Sequence, residues 1–117
     1  AYVFEIRRDG NRIGEINLRI GYTDGLYYVG QIGYGVDEGH RGHGYAAKGC
    51  RLLKPVLRAH GMRKVLITND VNNIASRRTC EKLGAKLIRV APVPEWHDLY
   101  GQGIRYLNIF EWSLDEN

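Results

Sequence analysis

Along the first twenty residues, Val3, Glu5 and Arg7 alternate with Phe4, Ile6 and Arg8, and Ile13 to Ile20 resumes the alternation beyond Asp9-Gly10-Asn11. Period-two patterning around turn residues predicts a β-hairpin over Tyr2 to Ile20. Thr23-Asp24-Gly25 offers a second turn, and the aromatic and β-branched run Leu26 to Val36 predicts a third antiparallel strand that its glycines weaken or bend. The period then changes. After a loop over Asp37 to Gly44, apolar or small residues at 46, 47, 50, 53 and 57 mark one face of a helix over Tyr45 to His60, with a kink or early end at Pro55. Lys64 to Asn69 reads as a short buried strand, and Asn72 or Asn73 then caps a helix to Leu83, closed by Gly84. Lys86 to Val93 is a strand, Pro92 to Gly103 a loop and Ile104 to Leu114 a last strand. The order βββαβαββ, with one parallel pairing implied by strand-helix-strand-helix, predicts a single α/β (α+β) domain over residues 1–117.

A length of 117 residues suits one core, and 44% hydrophobic with 26% charged residues excludes disordered and fibrous architectures. Cys50 and Cys80 lie far apart in apolar contexts, so they form neither a disulfide framework nor a four-ligand zinc site; they read as reduced thiols, which predicts a cytoplasmic protein. No apolar run approaches the ~20 residues that cross a bilayer, so no membrane association is expected. The first residue is Ala1, which implies a removed initiator or a start inside a longer gene. Net charge is +4, with much of the basic excess between Arg41 and Lys82. That field attracts anions but is modest for a nucleic-acid binder, and a polyanionic small ligand fits at least as well.

The densest chemical signal is Arg41-Gly42-His43-Gly44-Tyr45-Ala46, between a glycine-rich strand and a helix. Glycines permit a tight turn, and the unpaired N–H groups of a first helical turn bind phosphate. Gly42-x-Gly44-x-x-Ala47 matches the dinucleotide fingerprint, but the required acidic residue ending a second strand is missing. Lys48 followed by Gly49 fails as a P-loop. The pattern Arg/Gln-x-x-Gly-x-Gly/Ala fits as Arg41, Gly44 and Ala46.

With that pattern the chain resembles the GNAT superfamily of N-acetyltransferases, whose acetyl-CoA pyrophosphate loop carries it. Asn73-Ile74-Ala75-Ser76 through Glu81-Lys82-Leu83-Gly84 is similar to the family's Asn-x-x-Ser/Ala…Glu-Lys-Leu-Gly helix, and Ile32-Gly33-Tyr34 to the strand before the loop in the ribosomal-protein-acetylating branch. The resemblance implies a mixed, mostly antiparallel sheet splayed into a V near Val36 and Asn69. It implies a pantetheine arm bonded to main-chain groups of Tyr34, Gly35 and Val36, and a pyrophosphate held by N–H groups of Gly42, His43, Gly44, Tyr45 and Ala46. Arg41 would add charge or brace the loop, and Asn73 would contact the arm. The strand and two helices that precede the hairpin in the family, which form part of its acceptor pocket, are expected to be lacking here; the chain is then a fragment, or a partner supplies the wall, or the acceptor site is open.

The activity implied is direct transfer of an acetyl group from acetyl-CoA to a primary amine, a protein N-terminus or a small amine. Family members often place an acid tyrosine where Cys80 stands, and a base glutamate on the strand that here carries Gly30-Gln31. Candidate catalytic groups are therefore Cys80 as a thiol donor, Ser76 near the cofactor sulfur and Glu15 as the nearby strand carboxylate, with water-mediated proton removal as the favoured alternative. The competing readings are a non-catalytic or truncated acyl-CoA-binding module and a basic nucleic-acid-binding domain. No metal is expected, since His40 and His43 lack further ligands. The aromatic and acidic loop carrying Trp96 and Tyr100 is a candidate acceptor wall, and an uncovered sheet edge favours a homodimer.

Overall fold

Asp9 and Gly10 have φ values of 52° and 82°, the two left-handed residues that a two-residue hairpin turn needs to follow strand twist. In the computed structural model, which describes residues 2–19 and 30–115, this turn joins β1 (Tyr2–Arg8) to β2 (Asn11–Leu18). Their antiparallel register runs from Tyr2 opposite Leu18 to Arg8 opposite Asn11, with an irregularity between Ile6 and Arg7. β3 (Ile32–Val36) pairs with the other side of β2, from Leu18 opposite Ile32 to Gly14 opposite Val36. The expected turn at Thr23-Asp24-Gly25, and the strand's expected start at Leu26, lie outside the described residues. The described part of that strand begins at Ile32, because Gly30 at φ 78° and a bend at Gln31 interrupt extended backbone.

The second sheet is built from β4 (Lys64–Asp70), β5 (Lys86–Pro92) and β6 (Tyr106–Ser113), with β6 in the middle and antiparallel to both neighbours. The predicted helix over Tyr45 to His60 is two helices, α1 (Tyr45–Leu52) and α2 (Lys54–Ala59), meeting at Leu53. Pro55 sits in the first turn of α2, where an N–H would be unpaired anyway, so the break costs little. In α3 (Ile74–Leu83), Asn73 is the N-cap, its side-chain oxygen accepting from Ser76 N–H at 3.1 Å, and Gly84 closes the helix at φ 76°. The loop expected over Pro92 to Gly103 contains a short helix, α4 (Asp98–Gly101), capped by His97.

The two sheets meet at Gln31. Gln31 N–H donates to the Leu66 carbonyl at 2.8 Å, and Leu66 N–H donates back to the Gln31 side-chain Oε1 at 2.8 Å. Among the described residues, the parallel pairing expected from element order is carried at Gln31 by a backbone bond and by a side chain that imitates a second. A Cβ on Gly30 would lie 3.0 Å from Thr68 N and 3.1 Å from Leu66 O, so a glycine is needed where the strands touch. Beyond this junction, among the described residues, no ladder joins β3 and β4, and their C-terminal ends diverge as the arms of a V. Ile16, Leu18 and Ile32 from the first sheet, Ala47, Cys50 and Leu57 from α1 and α2, Cys80 and Leu83 from α3, and Val65, Ile67, Phe110 and Trp112 from the second sheet form one core beneath the V. Each fully buried aliphatic side chain there contributes about 2 kcal/mol.

Candidate active site

The V opens into a cleft of about 530 Å³, lined by Tyr34, Gly35 and Val36 on one side, by His40, Arg41, Gly42, Gly44, Tyr45 and Ala46 at its mouth, and by Asn73, Ala75, Ser76, Arg78, Thr79 and Lys82 of the α3 side. Its walls follow from local structure. Asp37 N–H donates to Ile13 O at 2.7 Å, and strand alternation then turns the N–H and C=O groups of Val36 and Tyr34 away from β2 and toward the cleft. The Val36 carbonyl is taken by Arg41, whose Nε donates to it at 2.8 Å. That bond ties Arg41 to the end of β3. The Tyr34 groups and the Val36 N–H remain as an open strand edge for an extended ligand to pair with.

At the mouth, Gly42 and Gly44 adopt φ values of 86° and 74°, and Gly44 is the left-handed N-cap of α1. A Cβ on Gly42 would meet nothing within 4 Å, and one on Gly44 would meet the Lys82 ammonium at 3.4 Å. The first-turn N–H groups of α1, the positive end of its dipole and the cations of Arg41, Arg78 and Lys82 thus converge on one opening, a constellation suited to a phosphate-rich anion. Lys82, Arg78, Thr79 and Ala75 were not singled out from the sequence. The signal was there: 75, 78, 79 and 82 share a helical face, which the Asn73 cap turns toward the cleft. His40 lines the cleft, whereas His43 is exposed and its ring lies 5.3 Å from that of Tyr45, beside the cleft without lining it.

The three candidate catalytic residues are placed differently. Ser76 lines the cleft, and its hydroxyl lies 3.1 Å from the Tyr34 phenol, which also donates to the Ser76 carbonyl at 3.0 Å. Cys80 is fully buried and does not line the cleft; its Sγ lies 3.5 Å from the Tyr34 oxygen and 3.6 Å from Asn69 Nδ2. Burial pushes its thiol up to about 11 and that of Cys50 up to about 12, so both are neutral at physiological pH. Burial, with Cys80 alongside, likewise raises the Tyr34 phenol above its ordinary value. Glu15 stands on β2 opposite Gly35, away from the cleft lining, with its carboxylate 3.2 Å from Arg12. Gln31, where the family often has its glutamate, is 1% exposed and committed to Leu66. The loop around Trp96 and Tyr100 is absent from the lining of the cleft; Arg105 stacks over the Tyr100 ring at 3.7 Å and donates to its carbonyl. Among the described residues no cluster of His, Cys, Asp and Glu could hold a metal ion, and no helix is long and apolar enough to cross a membrane.

A splayed pair of antiparallel sheets, with a glycine-rich helix start at the mouth of the V, defines an acyl-CoA acyltransferase fold. The family model described as an acetyltransferase (GNAT) domain matches residues 1–86, and the chain belongs to that family. Solved structures share the fold. A GNAT-family acetyltransferase from Bacillus anthracis superposes with a TM-score of 0.71 at 18% identity, over 92% of this chain and 62% of its own. The putative acetyltransferase yncA from Salmonella typhimurium, solved with acetyl-CoA, gives 0.70 at 21% identity, over 98% and 65%. A ribosomal-protein-S5-alanine acetyltransferase from Vibrio fischeri gives 0.66 at 15%, over 92% and 57%. The chain thus spans less than two thirds of the length of these structures. No curated protein matches it.

Proposed function

We propose that this chain transfers an acetyl group from acetyl-CoA to a primary amine, the N-terminus of a protein or a small amine, by direct attack within a ternary complex. The observation that carries the reading is the continuity of one cleft from the phosphate-suited start of α1 to the unpaired edge of β3. A ligand with a pyrophosphate at one end and an amide-bearing extended arm at the other fits both halves. The α1 N–H groups and the cations of Arg78 and Lys82 hold the anionic end, and the open Tyr34 and Val36 main-chain groups pair with the arm. Asn73, whose side-chain oxygen is spent on the cap, keeps its amide N–H₂ for the arm.

In the transfer step the neutral amine attacks the thioester carbonyl carbon, the C–S bond breaks with its electron pair staying on the CoA sulfur, the amine's surplus proton leaves to water, and water protonates the departing thiolate. A water route is favoured because Gln31 cannot accept a proton and Glu15 is paired with Arg12 outside the cleft. The same placements favour, as a second reading, an acyl-CoA-binding module without turnover.

Calorimetric titration with acetyl-CoA, followed by thiol release with a panel of amines, separates the readings. Binding with amine-dependent release supports the enzyme, binding without release supports the module, and no binding at millimolar acetyl-CoA sinks both. Gly44→Val, which strains a left-handed position and crowds Lys82, should abolish acetyl-CoA binding while leaving any nucleic-acid binding intact.

A further inference from the structure

One aromatic side chain crosses the V from arm to arm. Tyr34 stands on β3, yet its phenol meets α3, where the hydroxyl donates to the Ser76 carbonyl at 3.0 Å and accepts from Ser76 Oγ at 3.1 Å. With its one proton spent there, the 3.5 Å contact with Cys80 Sγ is one in which the thiol donates. The proton and both lone pairs of the phenol are thus engaged, and burial keeps it protonated. The ring also packs against the core. Along β3 the lining of the cleft stops at this residue: Tyr34, Gly35 and Val36 line it, and Ile32 and Gly33 do not. Behind the ring lie groups that the cleft does not reach. Cys80 is 0% exposed, and Asn69, whose Nδ2 donates to Cys80 Sγ at 3.6 Å, is 5% exposed; neither lines the cleft.

We propose that the Tyr34 ring is the end wall of the acyl site and restricts the acyl group to about the length of acetyl. The inference rests on the acetyl-transfer reading of the cleft and adds to it the residue that selects among acyl-CoA thioesters. Gly44 and Lys82 stand together at one end of the cleft, and Tyr34 with Ser76 at the other. An arm that follows the β3 edge inward from the mouth therefore carries its thioester toward the ring. Acyl carbons beyond the sulfur then meet an aromatic face held from two sides, by its own strand and by α3. The space in front of the ring takes a two-carbon acyl group. A longer chain has to push the ring off its bonds to Ser76 and into a packed core, or bend back toward solvent and leave its methylenes unburied. Truncating the ring joins the cleft to the space above Cys80, where a buried, neutral thiol offers a small apolar surface to the added methylenes.

The test is calorimetric titration of the wild-type protein and of Tyr34 variants with acetyl-, propionyl- and butyryl-CoA. These ligands share every group except the acyl chain, so ratios of their Kd values read the end wall alone. Wild type should bind butyryl-CoA roughly tenfold or more weakly than acetyl-CoA, as overpacking of a closed site requires. In Tyr34→Ala the order should reverse, with Kd falling about fourfold for each added methylene that the opened space buries. Tyr34→Leu, which keeps an apolar side chain against the core and serves if Tyr34→Ala does not fold, should narrow the gap between butyryl- and acetyl-CoA. Tyr34→Phe keeps the ring without its hydroxyl and should keep the wild-type ratio. Equal binding of all the thioesters by wild type, a wild-type ratio in the truncated variants, or loss of the acetyl preference in Tyr34→Phe overturns the wall while leaving the acetyl-transfer reading standing. Failure of the wild-type protein to bind any of the thioesters overturns both.

Discussion

Alanine in place of glycine inside a strand ordinarily stabilises by about 0.5–1 kcal/mol, because the glycine loses more freedom on folding. At Gly14 the sign should reverse. A Cβ there would sit 2.3 Å from the Gly35 carbonyl oxygen and 3.0 Å from the Val36 Cα, both backbone atoms that cannot swing aside. Relieving the contact requires β2 and β3 to part by roughly 1 Å, and overpacking of that kind costs about 1–3 kcal/mol. After the entropic gain, Gly14→Ala should be destabilised by about 1–2 kcal/mol, a loss of roughly 4–8 °C in Tm for a domain of this length. The residues displaced, Gly35 and Val36, line the cleft, so affinity for acetyl-CoA should fall as well. Urea unfolding of Gly14→Ala beside wild type reads the first effect, and calorimetric titration reads the second. A variant as stable as wild type, with unchanged affinity, would refute the claim that close approach of these strands shapes the cleft edge.

Three further outcomes follow from particular contacts. Gln31→Leu strands the Leu66 N–H at the junction of the sheets and should cost about 2 kcal/mol in denaturant unfolding. Asn73→Ala should lose about 1 kcal/mol with its cap, whereas Asn73→Asp keeps the cap acceptor and should retain that stability, so any loss of acetyl-CoA affinity in Asn73→Asp isolates the amide's contact with ligand. The buried thiols are raised from 9.0 to about 11 at Cys80 and about 12 at Cys50; the folded state therefore holds protons the unfolded chain has released. Their contribution to stability is complete below pH 9.0 and lost as pH rises through about 11 for Cys80 and about 12 for Cys50, so urea midpoints should fall over that window, and Cys50→Ala/Cys80→Ala should flatten the decline.

Much of the architecture was legible because its signals are local. Asp9-Gly10 needs only its own backbone preferences to make a hairpin turn, Asn73 caps a helix through an amide three residues on, and Pro55 restarts one by lacking an N–H. The phosphate-suited loop is likewise a matter of neighbours, since Gly42, Gly44 and the first turn of α1 lie within a few residues. The same reasoning expects a kink or early end at Pro55 but not a second helix restarting at Lys54, and it reads α4 as loop. In both places a single proline or capping residue decided between continuing and restarting, a choice that apolar spacing does not encode.

The inner half of the cleft depended on groups far apart in the chain. That Gln31 would replace a strand-pairing carbonyl, that Cys80 would be sealed beneath Tyr34, and that Lys82 would reach across to Gly44 are contacts between elements separated by dozens of residues. Sequence by itself determined the turns, the caps, the strand and helix periods and the anion-suited loop, because those are set by hydrogen bonds and steric limits within one or two turns of chain. Tertiary structure alone decided that β6 lies between β4 and β5, that the sheets part at Gln31, and which hydroxyl faces the cleft. Those outcomes depend on how apolar faces pack against one another, and burial carries no memory of sequence distance.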